Sequence, residues 1–352
     1  MLGLRVQSTP EEDRVNAERS TPEAAGAAGE HRGSDADNAQ RSRRWLRARD
    51  ALGSFAFLLP NLIGFMVFTF LPVLASLVLS LTNWDVLQPL SAKNYVGLHN
   101  FGELLWFHRE AGRLVANDPQ FWQYLGNTVF FMLAIPIGIF ASLGLAMLLN
   151  QKIRGVTIFR TIYFVPSICS GVAVALLWRW IYNPEYGLLN SFLAHFVHFK
   201  DPPMWLYDVN LAKPSLMLMG LWAGIGGMNC LLYLAGLQGI PQELYEAADL
   251  DGANAWQKFR LITWKLLSPT TFFISVMSII GGFQGGFMQA FLMTSGGPAG
   301  STTTIMYYIY NNAFGGFYRM GYACAIAWVL FILVFGFTII NWRVGQKLVH
   351  YS

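Results

Sequence analysis

Six long apolar runs alternate with polar segments along this chain, at Ser54–Leu81, Asn127–Leu149, Thr161–Ile181, Leu216–Leu237, Phe272–Thr294 and Tyr322–Trp342. Each is long enough to cross about 30 Å of hydrocarbon as a helix. A segment in lipid has to satisfy its own backbone hydrogen bonds, so the pattern predicts an all-α, polytopic membrane protein with six transmembrane helices. No Asp, Glu, Lys or His lies well inside any run, and Arg179 sits near an end. Ion-coupled carriers need intramembrane ionisable groups or broken-helix ion sites, so this pattern counts against transport powered by the chain itself. No G-x-x-x-x-G-K-S/T phosphate loop occurs in the sequence either, so any driven process draws its energy from another subunit.

The polar segments set topology. Residues 1–40 carry few large apolar side chains and cannot offset the entropy of ordering, which predicts a disordered cytoplasmic tail. With the basic juxtamembrane stretch Arg41-Ser42-Arg43-Arg44-Trp45-Leu46-Arg47-Ala48-Arg49 it makes up residues 1–50, ahead of a membrane domain over 51–352. The first apolar run begins only after Ala51, so no cleaved leader is expected. With the N-terminus inside, the cytoplasmic flanks hold thirteen Lys and Arg and the external flanks seven, which predicts both termini in the cytoplasm. Composition agrees: 54% of the 352 residues are hydrophobic and 12% charged, about half the charged share of a soluble domain. Nine of the twenty acids lie at or before Asp50, and the net charge of +4 comes from flanks and loops, which makes nucleic acid a poor partner. Cys169, Cys230 and Cys324 each fall inside a different apolar run and read as small buried hydrophobes.

One cytoplasmic segment, about residues 241–269, has its own helical grammar. Pro241 suits a helix start, and Gln242, Glu243 and Glu246 suit the positive end of the helix dipole. Leu244, Ala247 and Ala248 share a face. Gly252 can take the left-handed conformation that ends a helix, and Asn254 with Gln257 has capping-box spacing. Two short helices with a bend at Gly252 follow. They are either a structural element packed on its own bundle or a surface on which another protein pushes.

The stretch EAADLDGANAWQKFRLITWKLLSP, from Glu246 to Pro269, resembles the EAA coupling loop of ABC importer permeases of the carbohydrate-uptake type, maltose- and glycerol-phosphate-like. Further blocks are similar to the same family: Val96-Gly97-Leu98-His99-Asn100-Phe101, Phe159-Arg160-Thr161, Tyr182-Asn183-Pro184-Glu185-Tyr186-Gly187-Leu188-Leu189-Asn190, Gly236 to Pro241, and Thr294-Ser295-Gly296-Gly297-Pro298. The resemblance implies a type I-like importer in a bacterial-type cytoplasmic (inner) membrane, with this chain as a non-catalytic subunit forming half of the pathway. It implies a second homologous permease, an ABC ATPase dimer that holds ATP and Mg, and an extracytoplasmic solute-binding protein touching the loop from Gly296 to Arg319. No cofactor on this chain is expected. Glu246, Ala247, Ala248, Asp251, Gly252 and Ala253 match the coupling motif, with Glu246 as an ion-pair partner of the ATPase and Gly252 as the bend. Trp264-Lys265 stands where the family has Leu-Pro, which predicts a straighter approach to the fifth span.

A sugar path needs amides, hydroxyls and aromatic faces. Polar or aromatic residues in the spans are Tyr163, Ser167, Ser170, Trp222, Asn229, Ser275, Ser278, Gln284 and Gln289. Mid-membrane amides are costly unless paired or facing water, which singles out Asn229 and Gln284. Trp222 adds an aromatic face, and the family resemblance places Tyr163, Ser167 and Ser278 near the sugar. The spacings Gly281/Gly285 and Gly282/Gly286 allow either packing against a partner permease or unwinding beside the path. Rival readings are a secondary carrier and a membrane scaffold. Within the importer class, the absence of a basic residue deep in a span favours a neutral sugar over glycerol phosphate.

Overall fold

The computed structural model describes Gly53 and residues 55–91, 94–110, 112–151, 154–198 and 201–348, so the expected tail over residues 1–50 lies outside the described residues. The chain divides into two units, Met1–Leu74 and Ala75–Ser352. The first carries most of α1 (Phe55–Ser80). Pro72 has no N–H to give to the turn before it, and that turn widens into a π-turn at Met66–Phe70, where the Leu71 N–H reaches the Met66 carbonyl. Its apolar side chains are exposed, Phe57 and Phe68 most of all, as suits a helix whose solvent is hydrocarbon.

The second unit takes up the end of α1 and continues with α2 (His99–Leu105) and an antiparallel hairpin of β1 (Phe107–Glu110) and β2 (Arg113–Ala116), with Phe107 opposite Ala116. Then follow α3 (Pro119–Met132), α4 (Ala134–Leu149), α5 (Val156–Ile168), α6 (Gly171–Ile181), α7 (Leu188–Phe196), α8 (Val209–Ile225) and α9 (Met228–Gln238). The chain continues through α10 (Gln242–Leu250), α11 (Ala255–Lys258), α12 (Ser268–Gln284), α13 (Phe287–Gln289), α14 (Ile305–Ala313) and α15 (Met320–Leu348). Among the described residues, five helices are long and apolar enough to cross a membrane: Phe55–Ser80, Pro119–Leu149, Val209–Gln238, Ser268–Thr294 and Met320–Arg343. Counting α5 and α6 as one broken span makes six.

Three expected spans are not the continuous helices that hydropathy predicts. The third is bent by 98° between α5 and α6. Pro166 lies in the last turn of α5 and has no N–H to continue the ladder, and Cys169 and Ser170 leave helical geometry. Cys169 is therefore exposed at the break, not buried as its apolar surroundings predict, whereas Cys230 and Cys324 are buried. The fourth span breaks at Gly226–Gly227, between α8 and α9. The fifth unwinds after Gln284, with Gly285 extended and Gly286 at φ +82°. Of the two readings of the paired glycines, unwinding is the one observed, and a side chain on Gly282 would meet Met132 and Ile135 of this same chain.

Three apolar clusters hold the bundle. Leu143, Ala146, Tyr233, Leu237 and Ile274 join α4, α9 and α12; Phe121, Phe283, Ile305 and Ile326 join α3, α12, α14 and α15; Trp178, Leu216 and Met219 join α6 and α8. Polar clamps lock the end opposite the 241–269 segment. Asn100 donates from its amide to the carbonyls of Ser80 (2.8 Å) and Thr82 (2.7 Å), capping the end of α1. The second span starts eight residues earlier than its apolar run, at Pro119 instead of Asn127, because Asp118 caps it and accepts from the Phe121 N–H at 3.0 Å. The other Asp118 oxygen accepts the hydroxyls of Tyr308 (2.8 Å) and Tyr322. Burial and the hydrogen bond to that carboxylate push the Tyr308 hydroxyl well above the ordinary phenol range. Asn127 donates to the Gly300 and Thr303 carbonyls, so the Gly-Gly-Pro loop is stitched to α3.

Asp118→Ala removes a helix cap and leaves two buried tyrosine hydroxyls without an acceptor. It is expected to destabilise the detergent-solubilised chain by about 2–4 kcal/mol, and Tyr308→Phe by about 1 kcal/mol, read as shifts in the denaturation midpoint.

Candidate coupling loop and central cavity

The segment from Pro241 to Pro269 folds as its local grammar predicts. α10 ends in a Schellman arrangement: the Gly252 N–H bonds the Asp249 carbonyl (3.1 Å) and the Ala253 N–H the Ala248 carbonyl (2.9 Å), with Gly252 at φ +73°. α11 begins with a reciprocal capping box, Asn254 N–H to Gln257 Oε1 at 2.8 Å and Gln257 N–H to Asn254 Oδ1 at 2.9 Å. Two further ties make the pair of helices one body. Lys258 Nζ pairs with Asp249 Oδ1 at 2.6 Å, and the Tyr245 and Thr263 hydroxyls bond at 2.8 Å. Glu246 is exposed, with one oxygen accepting from Gln242 Nε2 at 3.0 Å. Ala247, Asp251 and Gly252 are exposed beside it, and Ala248 and Ala253 are half-buried. Leu250 is 90% exposed and Trp256 66%, so the body also presents apolar side chains that the helical pattern of Leu244, Ala247 and Ala248 does not single out.

After α11 the chain passes through a π-turn, Phe259–Thr263, and a short turn, Trp264–Leu266. Trp264 stacks on Phe140 of α4 (6.0 Å between rings, 14° between planes), which fixes the segment to the bundle. The missing Leu-Pro does not leave one straight helix: the buried Leu267 (φ −85°, ψ −2°) interrupts it before α12 starts with Pro269 in its first turn.

The three helix breaks converge on two adjoining cavities of about 500 and 480 Å³. Ser142, Ser278, Gly281 and Gly285 line the first, Ser167, Cys169 and Gly227 the second, and Gly224, Asn229 and Gln289 line both. Non-helical backbone at membrane depth is tolerated where it is buried in protein or faces a wet cavity, so breaks and cavities explain each other. The break in α8–α9 also meets the third span, because a Cβ on Gly226 would overlap the Tyr163 carbonyl oxygen. Ser142 donates to the Ile225 carbonyl at 3.0 Å and stabilises the same break.

Of the residues predicted for the path, Asn229, Ser167 and Ser278 line these cavities. Tyr163, Trp222 and Gln284 line neither. Tyr163 contributes its backbone to the Gly226 crossing, Trp222 packs edge-on against Trp178 (5.6 Å), and Gln284 is exposed. The amide that takes the place of Gln284 at the cavity is Gln289, after the unwound glycines. Ser142 escapes sequence reading because a lone serine in an apolar run is ordinary. No Asp, Glu, Lys, Arg or His is among the described residues lining either cavity.

Broken membrane helices around mostly apolar cavities that carry a few uncharged polar groups, with a rigid helix pair outside them, fit a membrane permease. The chain belongs to the family described as "Binding-protein-dependent transport system inner membrane component", whose model matches residues 122–347. It is 36% identical over 324 residues to a probable ABC transporter permease protein, YesP, of Bacillus subtilis, covering 91% of this chain and 97% of that protein. It is also 36% identical over 299 residues to the lactose transport system permease protein LacF of Rhizobium radiobacter, covering 83% and 94% of the two. Its fold matches a chain of a bacterial ABC transporter involved in the import of the acidic polysaccharide alginate. The TM-score is 0.74 at 22% identity, over 88% of this chain and 100% of that one.

Gly226→Val is expected to push the third and fourth spans apart and to cost roughly 1–3 kcal/mol of stability in detergent. Gly224→Val, where nothing lies within 4 Å of the added carbon, is expected to cost much less, and the two denaturation midpoints measured side by side test this.

Proposed function

We propose that this chain is one permease subunit of an ATP-driven importer for a neutral carbohydrate, in a bacterial-type cytoplasmic membrane with both termini inside. It would form half of the translocation pathway beside a second, similar permease. An ATPase dimer would sit beneath the segment at 246–269, and an extracytoplasmic binding protein would deliver the sugar. The observation that carries the coupling role is the helix pair itself: capped at both joints, cross-tied by Lys258–Asp249 and Tyr245–Thr263, and presenting Glu246, Leu250 and Trp256 outward.

ATP bound with Mg on the partner ATPase supplies the driving force for closure. Glu246 would pair with a cation on that partner, held in place by Gln242, while Leu250 and Trp256 fill apolar contacts. A push on the body passes through the π-turn and Leu267 into α12, whose far end unwinds at Gly285 and carries Gln289 on the cavity wall. Displacing α12 against α4 and α9 therefore reshapes the cavity and switches its side of access. Asn229, Ser278, Ser167 and Gln289 offer hydroxyl and amide partners to sugar hydroxyls.

Relatives of this chain bear names for lactose, for multiple sugars, for trehalose/maltose and for sn-glycerol-3-phosphate transport. The uncharged lining of both cavities supports a neutral sugar over a phosphate ester, since a desolvated phosphate needs a nearby cation.

Purification of the chain in gentle detergent from native membranes is expected to recover a P-loop ATPase and a second permease. A cysteine placed at Ala248 is expected to crosslink to the ATPase. Glu246→Arg, inserted at normal level, is expected to cut uptake of the transported sugar by ~10-fold or more. Undiminished uptake by that variant, with no ATPase recovered, would sink the coupling role and bring the carrier or scaffold readings forward.

A further inference from the structure

Beyond the C-terminal end of α6 the chain builds a cup that neither the central cavities nor the coupling loop uses. Its scaffold is the block Tyr182–Asn190. Asn183 Oδ1 accepts the N–H groups of Glu185 (2.9 Å) and Tyr186 (3.1 Å), folding a tight turn. A Cβ on Gly187 would overlap the Asn183 and Ile181 carbonyls, so that turn admits only glycine. Asn190 ties the turn to the following loop, donating to the carbonyls of Pro184 (3.1 Å) and Pro203 (3.2 Å) and accepting from Trp205 Nε1 at 2.7 Å. Tyr182 is buried and donates to the Ser215 carbonyl at 2.9 Å, giving the cup a rigid floor.

These bonds leave several groups unspent around a cavity of about 390 Å³, within the roughly 300–1,000 Å³ usual for small-molecule sites. Trp180, Tyr186 and Tyr207 line it, and they are 49%, 62% and 63% exposed. Arg179 lines it too, and its bond to the Leu292 carbonyl is long, 3.4 Å. Aromatic side chains that share a cavity lining with a planar multi-donor cation match a pyranose ring, which has apolar C–H faces and a rim of hydroxyls. Position matters as well. Leu176 and Arg179 of α6 line the cup, while Val174 and Ala175, less than two turns earlier, line the second central cavity. Leu292, which Arg179 reaches, lies in the π-turn Ala290–Thr294 directly after Gln289.

We propose that this cup is an outer saccharide subsite, holding one ring of an oligosaccharide at the mouth while the rest of the chain engages the central cavity along α6. The inference rests on the carbohydrate reading of the importer.

The test uses the complete importer in cells and a panel of labelled glucose, maltose, lactose, trehalose and malto-oligosaccharides up to five rings. Trp180→Ala and Tyr207→Ala are each expected to raise KM for the longer sugars roughly fivefold, the worth of one lost stacking contact, with a smaller effect on shorter ones. Trp180→Phe, which keeps an aromatic face, is expected to lose less than Trp180→Ala. An equal loss for every sugar indicates a docking face for the binding protein and overturns the subsite. Unchanged KM with lowered membrane insertion or thermal stability indicates an interfacial anchor and overturns it too. Transport of a sugar with no dependence on these residues removes the cup alone; transport of no sugar at all by the wild-type complex removes the carbohydrate reading and the cup with it.

Discussion

Hydrocarbon offers no hydrogen bonds, and that constraint organises this permease. A backbone amide released from its helix in lipid costs several kcal/mol unless protein or water takes it up. This chain nonetheless breaks three spans, at Cys169–Ser170, Gly226–Gly227 and Gly285–Gly286. All three breaks face the same pair of cavities, where released groups find other partners, such as the Ser142 hydroxyl on the Ile225 carbonyl. The glycines that permit the breaks also permit close crossings, as where Gly226 meets the Tyr163 carbonyl. The pair of cavities is thus defined by backbone first and side chains second.

The helix pair at 241–269 follows the opposite rule. It is short, exposed and self-contained, and its rigidity comes from local bonds: a Schellman end, a capping box, one ion pair and one hydroxyl pair. An exposed ion pair such as Lys258–Asp249 contributes little stability alone. Here it closes a loop whose two helices are already capped, so its effect is to fix an angle. Through Trp264 on Phe140 and Leu267 at the start of α12, that angle is referred to the bundle.

What was legible in the sequence follows this division. The helix pair at 241–269 could be read residue by residue because every interaction that shapes it lies within a few positions. The six membrane runs were legible from hydropathy, but their interruptions were not, since apolar composition is blind to whether Gly226 meets solvent or a neighbouring carbonyl. Pro166 was a local sign of the break in the third span, yet proline is common inside continuous membrane helices. Asp118-Pro119 is a readable helix start that the polar residues Gln120 and Gln123 after it obscure. Among the cavity-lining residues, Asn229 could be chosen by type and Ser167 and Ser278 by family resemblance, whereas Gln284 lost its place to Gln289 through an unwinding that only the packed bundle reveals. The Tyr182–Asn190 block read as family likeness alone, because its hydrogen bonds reach out to Pro203 and Trp205.

The Asp118 clamp has a consequence for the order in which the molecule is made. Its tyrosine partners lie 190 and 204 residues further along the chain. At roughly 5–20 residues per second of synthesis, the carboxylate waits about 10–40 s for them. During that interval the start of the second span has its helix cap but not its tyrosine partners. The bond from Tyr322 completes the clamp only once the start of the sixth span has been made. A product truncated before Tyr308 would lack both of these bonds and leave the Asp118 carboxylate without its tyrosine donors.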